Sequence, residues 1–113
     1  MNISVVIPTY NRNKYLLKCL KSLLIQKKLP KEVIVVDNTE NNCAKSIINY
    51  TQNSFKKKKK KLIYLKNKEN SGSTARNLGA LSSKSDLIAF LDDDVILDKN
   101  YYHEITDVFL RNK

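Results

Sequence analysis

Residues 33–36 read VIVV, four consecutive β-branched residues that are apolar on both faces of any strand they form, and Asp37 closes the run. A strand with one wet face alternates polar and apolar residues. A run that does not alternate therefore belongs inside a sheet covered by helices on both sides. The rest of the chain supplies those helices in alternation with further strands. Residues 3–7 form a first strand, stopped by Pro8. In 14–26, Tyr15, Leu16, Cys19, Leu20, Leu23 and Leu24 recur at steps of three and four opposite Lys14, Lys18 and Lys21, which predicts an amphipathic helix with Asn11 or Asn13 available to cap it.

After the Leu29-Pro30 break and the strand at 32–36, residues 44–55 read as a second helix with Ile47, Ile48, Tyr50 and Thr51 inward. A short strand at 62–65, a helix over about 74–81, a fourth strand at 86–91 and a last helix at 99–110, with Tyr102, Ile105, Val108 and Phe109 inward, complete the pattern. This βαβα succession predicts an α/β fold, a three-layer Rossmann-like arrangement around a mainly parallel sheet. At 113 residues the chain holds one such core and not two, so residues 1–113 are expected to be a single domain.

In an open parallel sheet the loops that follow strands share one edge, where ligands bind at the point at which strand order reverses. Those loops are 8–13, 37–42, 66–73 and 92–98, and they hold every polar cluster that stands out. Asp92, Asp93 and Asp94 follow the apolar run LIAFL. Three adjacent carboxylates repel one another unless a cation or solvent screens them, and hard oxygen ligands suit Mn2+ or Mg2+, which keep open positions for phosphate oxygens. Asp92 and Asp94 would point the same way in extended chain. A solvated turn or a helix cap explains such a triplet equally well on its own, although Asp98 offers a more ordinary cap.

The other clusters on this edge are individually weaker. Pro8, Thr9 and Tyr10 offer a hydroxyl and an aromatic face for a base or ribose, or Tyr10 simply lies over the core. Asp37 can accept from a base imide or a ribose hydroxyl, or cap the following helix. Gly72 precedes a helix whose first turns carry Arg76, within reach of a phosphate drawn to the helix N-terminus, while Gly79 reads as close helix packing.

Charge narrows the partners only to anions. The formal charge of +10 is nearly all lysine, and lysine with asparagine makes up 31 residues, a bias that AT-rich coding sequence produces. Nucleotide sugars, anionic membranes and nucleic acid are all attracted by such a surface. The run at 56–61 has no interleaved aromatic, which favours a solvated turn and leaves membrane attraction as the second reading. Cys19 and Cys43 show neither a C-x-x-C spacing nor a neighbouring histidine and are expected to be packing residues. The expected location is cytoplasmic, with peripheral attachment to the inner face of the membrane as the variant, because no signal-peptide pattern or bilayer-length apolar run is evident.

In order and spacing, SVVIPTYNR, EVIVVDN, NSGSTARNLGA and FLDDDVI together resemble the family 2 glycosyltransferases of GT-A fold over nearly the whole chain. The resemblance implies that Thr9, Tyr10 and Asp37 hold base and ribose, that Arg76 lies against the nucleotide, and that residues 92–94 are the D-x-D motif, with Asp93 towards ribose and Asp94 on the metal. It further implies an inverting, metal-dependent transfer from a nucleoside diphosphate sugar, UDP-linked by family habit, to a hydroxyl of a glycan or lipid-linked acceptor, as in cell-wall or surface polysaccharide synthesis. Such enzymes are usually twice as long or more, and their catalytic base lies well downstream of the D-x-D motif. It is therefore expected beyond Lys113, and the fold is expected to be truncated, leaving a sheet edge and apolar surface that favour self-association.

Two rivals differ in class. LDDDV also fits the nucleophile motif of haloacid-dehalogenase-like phosphatases, with Asp92 attacking phosphate and Asp94 as acid/base, but that motif usually opens its chain and needs downstream residues for which little sequence remains. A basic module binding nucleic acid or membrane through Lys27, Lys28, Lys31 and the 56–61 run would bind in a salt-sensitive, metal-indifferent way.

Overall fold

The computed structural model describes residues 2–68 and 71–111, with the side chains of Tyr102, Ile105, Phe109 and Leu110 excepted. Strands β1 (Ile3–Thr9), β2 (Glu32–Asp37), β3 (Lys61–Lys66) and β4 (Leu87–Phe90) alternate with helices α1 (Asn13–Leu24), α2 (Lys45–Lys57), α3 (Gly72–Ser82) and α4 (Tyr101–Arg111). The sheet order is β3-β2-β1-β4 and all three pairings are parallel. The chain thus steps outward from β1 to β3, crosses back, and lays β4 on the other side of β1. Strand order reverses between β1 and β4. Right-handed crossovers in opposite directions put their helices on opposite faces, so α1 and α2 cover one face and α3 the other.

The non-alternating run takes the buried place expected of it. Every residue of β2 is buried. Val33 and Val35 join Val5, Ile7, Leu16, Leu20, Leu23 and Phe55 in the larger core, whereas Ile34 and Val36 pack with Val6 and Ala75 beneath α3. Each such side chain removed from water contributes about 1.5–3 kcal/mol before entropy is counted. Under α3 the approach is closer: a Cβ on Gly79 would collide with the Val6 side chain, so the helix lies this near the sheet only because position 79 is glycine.

Several details depart from the expectations. Pro8 does not stop β1, which runs on to Thr9 in register with β2. The Val6 carbonyl accepts from Leu91 on the β4 side, so two residues on Pro8 also faces β4, where that strand has already ended and no donor is needed. Neither Asn11 nor Asn13 caps α1; Asn11 sits at φ 52, and the Asn13 side chain donates to the Cys43 carbonyl at 2.9 Å. Tyr15, Tyr50 and Val108 are exposed and not inward, with the Lys21 ammonium 6.0 Å from the centre of the Tyr50 ring. The expected inward places of Tyr102, Ile105 and Phe109 lie outside the described side chains. β4 is an edge strand, and its Ile88 and Phe90, together with Leu81 of α3, are exposed. No described helix is long and apolar enough to cross a membrane.

Candidate functional site

A cavity of about 330 Å³ opens where the strand order reverses, lined by Pro8, Thr9 and Tyr10 after β1, Arg12, Asn38 after β2, Arg76 from α3, and Asp92, Asp93 and Asp94 after β4. Seven predicted residues from three separate segments, Pro8 to Tyr10, Arg76 and Asp92 to Asp94, therefore share one wall. Two predicted residues do not line it, namely Asp37 and Gly72.

The three aspartates are not in extended chain. β4 ends at Phe90, and residues 92–95 form a turn in which the Val95 N–H donates to the Asp92 carbonyl at 3.2 Å. The turn gives the carboxylates unlike surroundings. The Asp93 side chain is 7% exposed, accepts the Thr9 hydroxyl at 2.8 Å and lies 3.5 Å from the Arg12 guanidinium. Arg12 also reaches Asp94 at 3.6 Å, and Arg76 stands 4.0 Å from Asp92, whose side chain is 74% exposed. Pairs this open contribute at most about 1 kcal/mol each. Their consequence is positional: two guanidinium groups and two exposed carboxylates face the same space. Asp98 takes the capping work instead, accepting the Asn100 N–H at 2.9 Å ahead of α4.

No group of three or more metal-ligating His, Cys, Asp or Glu side chains is assembled among the described residues. Asp92 and Asp94 are exposed carboxylates on the cavity wall, and ions of the Mg2+ type are commonly held by one or two carboxylates and completed by phosphate oxygens and water.

Asp37 is fully engaged within the chain. Its Oδ1 accepts the Thr39 N–H at 2.9 Å and the Thr39 hydroxyl at 2.6 Å, and its Oδ2 accepts the Ala44 N–H at 3.1 Å and the Tyr64 hydroxyl at 2.8 Å. Four donors fill the roughly four acceptor positions of a carboxylate. Burial pushes its pKa up, but these bonds outweigh burial and hold it below the ordinary 3.8. Burial, and then the bond to Asp37, raise the Tyr64 phenol. Of the two roles open to Asp37, the structure gives it the cap: Ala44 is the residue from which α2 starts.

Asn38, the next residue, takes the place in the cavity that Asp37 does not. Its Oδ1 accepts Asn67 Nδ2 at 2.6 Å, and the same Nδ2 donates to the Ser71 carbonyl at 3.2 Å. A carbonyl can only accept, so the Ser71 contact fixes the Asn67 amide, which in turn fixes the Asn38 amide and leaves Asn38 Nδ2 as its remaining donor. Asn38 and Arg12 both lie within the segments that the sequence singles out, each at a strand-to-helix connection. That position is the sequence signal for both residues. Tyr64 gave none, since a tyrosine in a strand reads as packing.

Gly72 is the first residue of α3, where a Cβ would meet Arg76 Nη1 at an ordinary 3.4 Å, and Ser71 caps the helix. Cys19 is buried beneath the aspartate turn with its thiol 3.9 Å from the Asp92 carbonyl; burial, then Asp93 and Asp94, push it up to about 12, so it packs without reacting.

The glycosyl transferase family 2 model matches residues 4–113. Among curated proteins, an uncharacterized glycosyltransferase of Rickettsia conorii is 33% identical over 98 residues, covering 87% of this chain and 15% of its own length. Poly(ribitol-phosphate) beta-N-acetylglucosaminyltransferase TarP of Staphylococcus aureus is 31% identical over 107 residues, covering 91% of this chain and 31% of its own. In structure, residues 1–349 of S. aureus TarS, solved in complex with UDP-GlcNAc, superpose with a TM-score of 0.79 at 28% identity over 95% of this chain and 30% of that one. The chain spans about 15% of the length of the first of these relatives and about a third of TarP. Its parallel four-stranded sheet matches these GT-A structures. By sequence and by fold, the chain belongs to glycosyl transferase family 2.

Proposed function

We propose that this chain is the donor-binding part of a metal-dependent inverting glycosyltransferase that takes a sugar from a nucleoside diphosphate sugar, most readily a UDP-sugar, to an acceptor hydroxyl. The observation that carries this reading is the convergence of Arg12, Arg76, Asp92 and Asp94 on one cavity with Tyr10 and Asn38. Cations and metal-ligating carboxylates suit a diphosphate, whereas an aromatic face and an amide suit a base. TarS has been solved with UDP-GlcNAc and with UDP, which supports the same ligand class here. The acceptor is proposed to be a cell-wall or surface polymer, supported by the names of TarP and of the poly(ribitol-phosphate) beta-glucosyltransferase of Bacillus spizizenii, which is 34% identical.

In this reading Asp94 and Asp92 hold Mn2+ or Mg2+ together with the diphosphate. The bound ion would neutralise charge on the departing diphosphate. Arg76, at the N-terminal end of α3, meets phosphate oxygens where the helix favours anions. Asp93 is turned inward by Thr9 and Arg12 and orients the turn. Thr9 is thereby a positioning residue, and Tyr10 covers the base. The base that deprotonates the acceptor is not assigned to any residue of this chain.

Calorimetric titration of UDP, GDP and dTDP, with and without Mn2+, into the wild-type chain and Asp94→Ala tests the reading. Metal-dependent binding weakened at least about tenfold by the substitution, roughly 1.4 kcal/mol, is expected. Affinity indifferent to both metal and Asp94→Ala would overturn it.

A further inference from the structure

Parallel strands joined by helices bring every helix-to-strand connection to the sheet edge opposite the cavity. Lysine is concentrated there. The connection into β3 holds the lysines at 56–61, counting the last turn of α2 and the first residue of β3; the connection into β2 holds Lys27, Lys28 and Lys31; the connection into β4 holds Lys84. The first two are tied together, since the Lys61 N–H donates to the Lys31 carbonyl at 3.4 Å. All of these lysines except Lys60 are exposed, and among the described residues none of them forms an ion pair. The acid inside this row is turned away: Glu32 is buried, with its Oε1 accepting the Ser4 hydroxyl and the Lys84 N–H, each at 2.7 Å. Asp86 and Asp98 are exposed beside it, the latter next to Lys99, whose carbonyl accepts the Lys27 N–H at 3.2 Å.

We infer that this edge is a docking face for an anionic lipid surface. Two sequence-distant lysine clusters form one band of compact charges on long stems, which suits a diffuse layer of headgroup charge. Nucleic-acid surfaces commonly add arginine forks and stacking aromatics, and this band has neither. Ile25, 67% exposed at the end of α1 and two residues before Lys27, supplies an apolar side chain able to enter the headgroup boundary. β1 spans seven residues, so the cavity would lie about 20 Å from the lipid and open away from it.

The test is co-sedimentation of the full chain with phosphatidylcholine vesicles and with vesicles containing phosphatidylglycerol, at low and physiological salt. Neutralising an exposed surface lysine is worth about fivefold in partitioning. The triple substitution Lys56→Gln, Lys57→Gln, Lys58→Gln should therefore lower binding to the anionic vesicles about a hundredfold. Lys14→Gln, Lys45→Gln, Lys68→Gln changes net charge equally from the opposite sheet edge and should cost less than about threefold. If the first set unfolds the chain, Lys27→Gln, Lys28→Gln, Lys31→Gln provides the same reading. Equal loss from edge and control sets, equal binding to both vesicle types, or capture of a DNA duplex at a salt concentration that releases the vesicles would each overturn the inference. None of these readouts involves nucleotide, so the result stands apart from the donor-binding reading.

Discussion

The two edges of one sheet use charge in opposite ways. At the edge where strands end, carboxylates are tied into the fold or set against arginines: Asp37 receives four donors, Asp93 holds Thr9 and Arg12, and Asp92 and Asp94 face guanidinium groups across the cavity. At the edge where strands begin, the charges are nearly all lysine and exposed, and the buried acid there serves the backbone. Strand-to-helix connections also run into helix N-termini, which favour acidic residues and anions, while helix C-termini at the other edge favour lysine. The α/β alternation by itself therefore tends to sort charge, and this chain carries that sorting far. A net charge of +10 conceals an organised acidic edge. The contrast predicts that substitutions at the acidic edge act on stability and ligand choice, whereas those at the basic edge act on what the molecule meets.

The largest expected effect on the fold is at Asp37. Asp37→Ala leaves the N–H groups of Thr39 and Ala44 and the Tyr64 hydroxyl without their acceptor, and should cost about 3 kcal/mol or more in denaturant unfolding. The carboxyl titrates below its ordinary 3.8 in the fold. Its stabilisation is thus complete above about pH 5 and is lost as pH falls through 3.8 towards the lower folded value, because the unfolded chain takes up the proton first. Acid melts of the wild type should show a fall in Tm across that window which Asp37→Asn lacks. An Asp37→Ala chain as stable as wild type, but deficient in nucleotide binding, would return Asp37 to the ligand and break the contrast.

The uneven legibility of this edge has a physical cause. Element order, layers and the meeting of four segments followed from periodicity and from the rule that strand ends share an edge, because burial imposes both on every residue of a strand. Which of two adjacent residues faces a cavity depends on a single turn of backbone. Asp37 and Asn38 differ by one position at the end of β2, and the donors that hold Asp37 come from Thr39, Ala44 and Tyr64, the last of them 27 residues away. Nothing in the local sequence announces that Tyr64 will arrive there. The turn at 92–95 and the outward Tyr15 and Tyr50 belong to the same class: an amphipathic tyrosine satisfies an apolar stripe on paper and remains in water at the margin of the helix.

A smaller effect should appear at Asn38, and it concerns ligand choice. The amide presents a donor, which can meet a carbonyl of uracil or an acceptor on cytosine. Asn38→Asp replaces it with an acceptor that gains the imide N–H of uracil and opposes the ring nitrogen of cytosine. The ratio of UDP to CDP affinity should rise about tenfold or more, about 1.4 kcal/mol, in parallel titrations. An unchanged ratio, with nucleotide binding intact, would place the base elsewhere in the cavity.

The smallest effect lies on the basic edge and bears on whether that edge is tuned for folding at all. Lys59 sits at φ 59, in the left-handed region, just after α2, where the Lys58 and Lys60 N–H groups both reach back to the Phe55 carbonyl. Helices usually end this way on glycine, which has no Cβ to strain. Lys59→Gly relieves the strain but loosens the unfolded chain, and the native geometry should win by about 0.5–1 kcal/mol, a rise in Tm of a few degrees. The substitution also removes one charge from the band. A more stable chain that binds anionic vesicles less well would mean that a lysine is kept at this position at the expense of the helix end. A chain that gains stability and loses no vesicle binding would make Lys59 a plain cost to folding, and would confine the docking face to its neighbours.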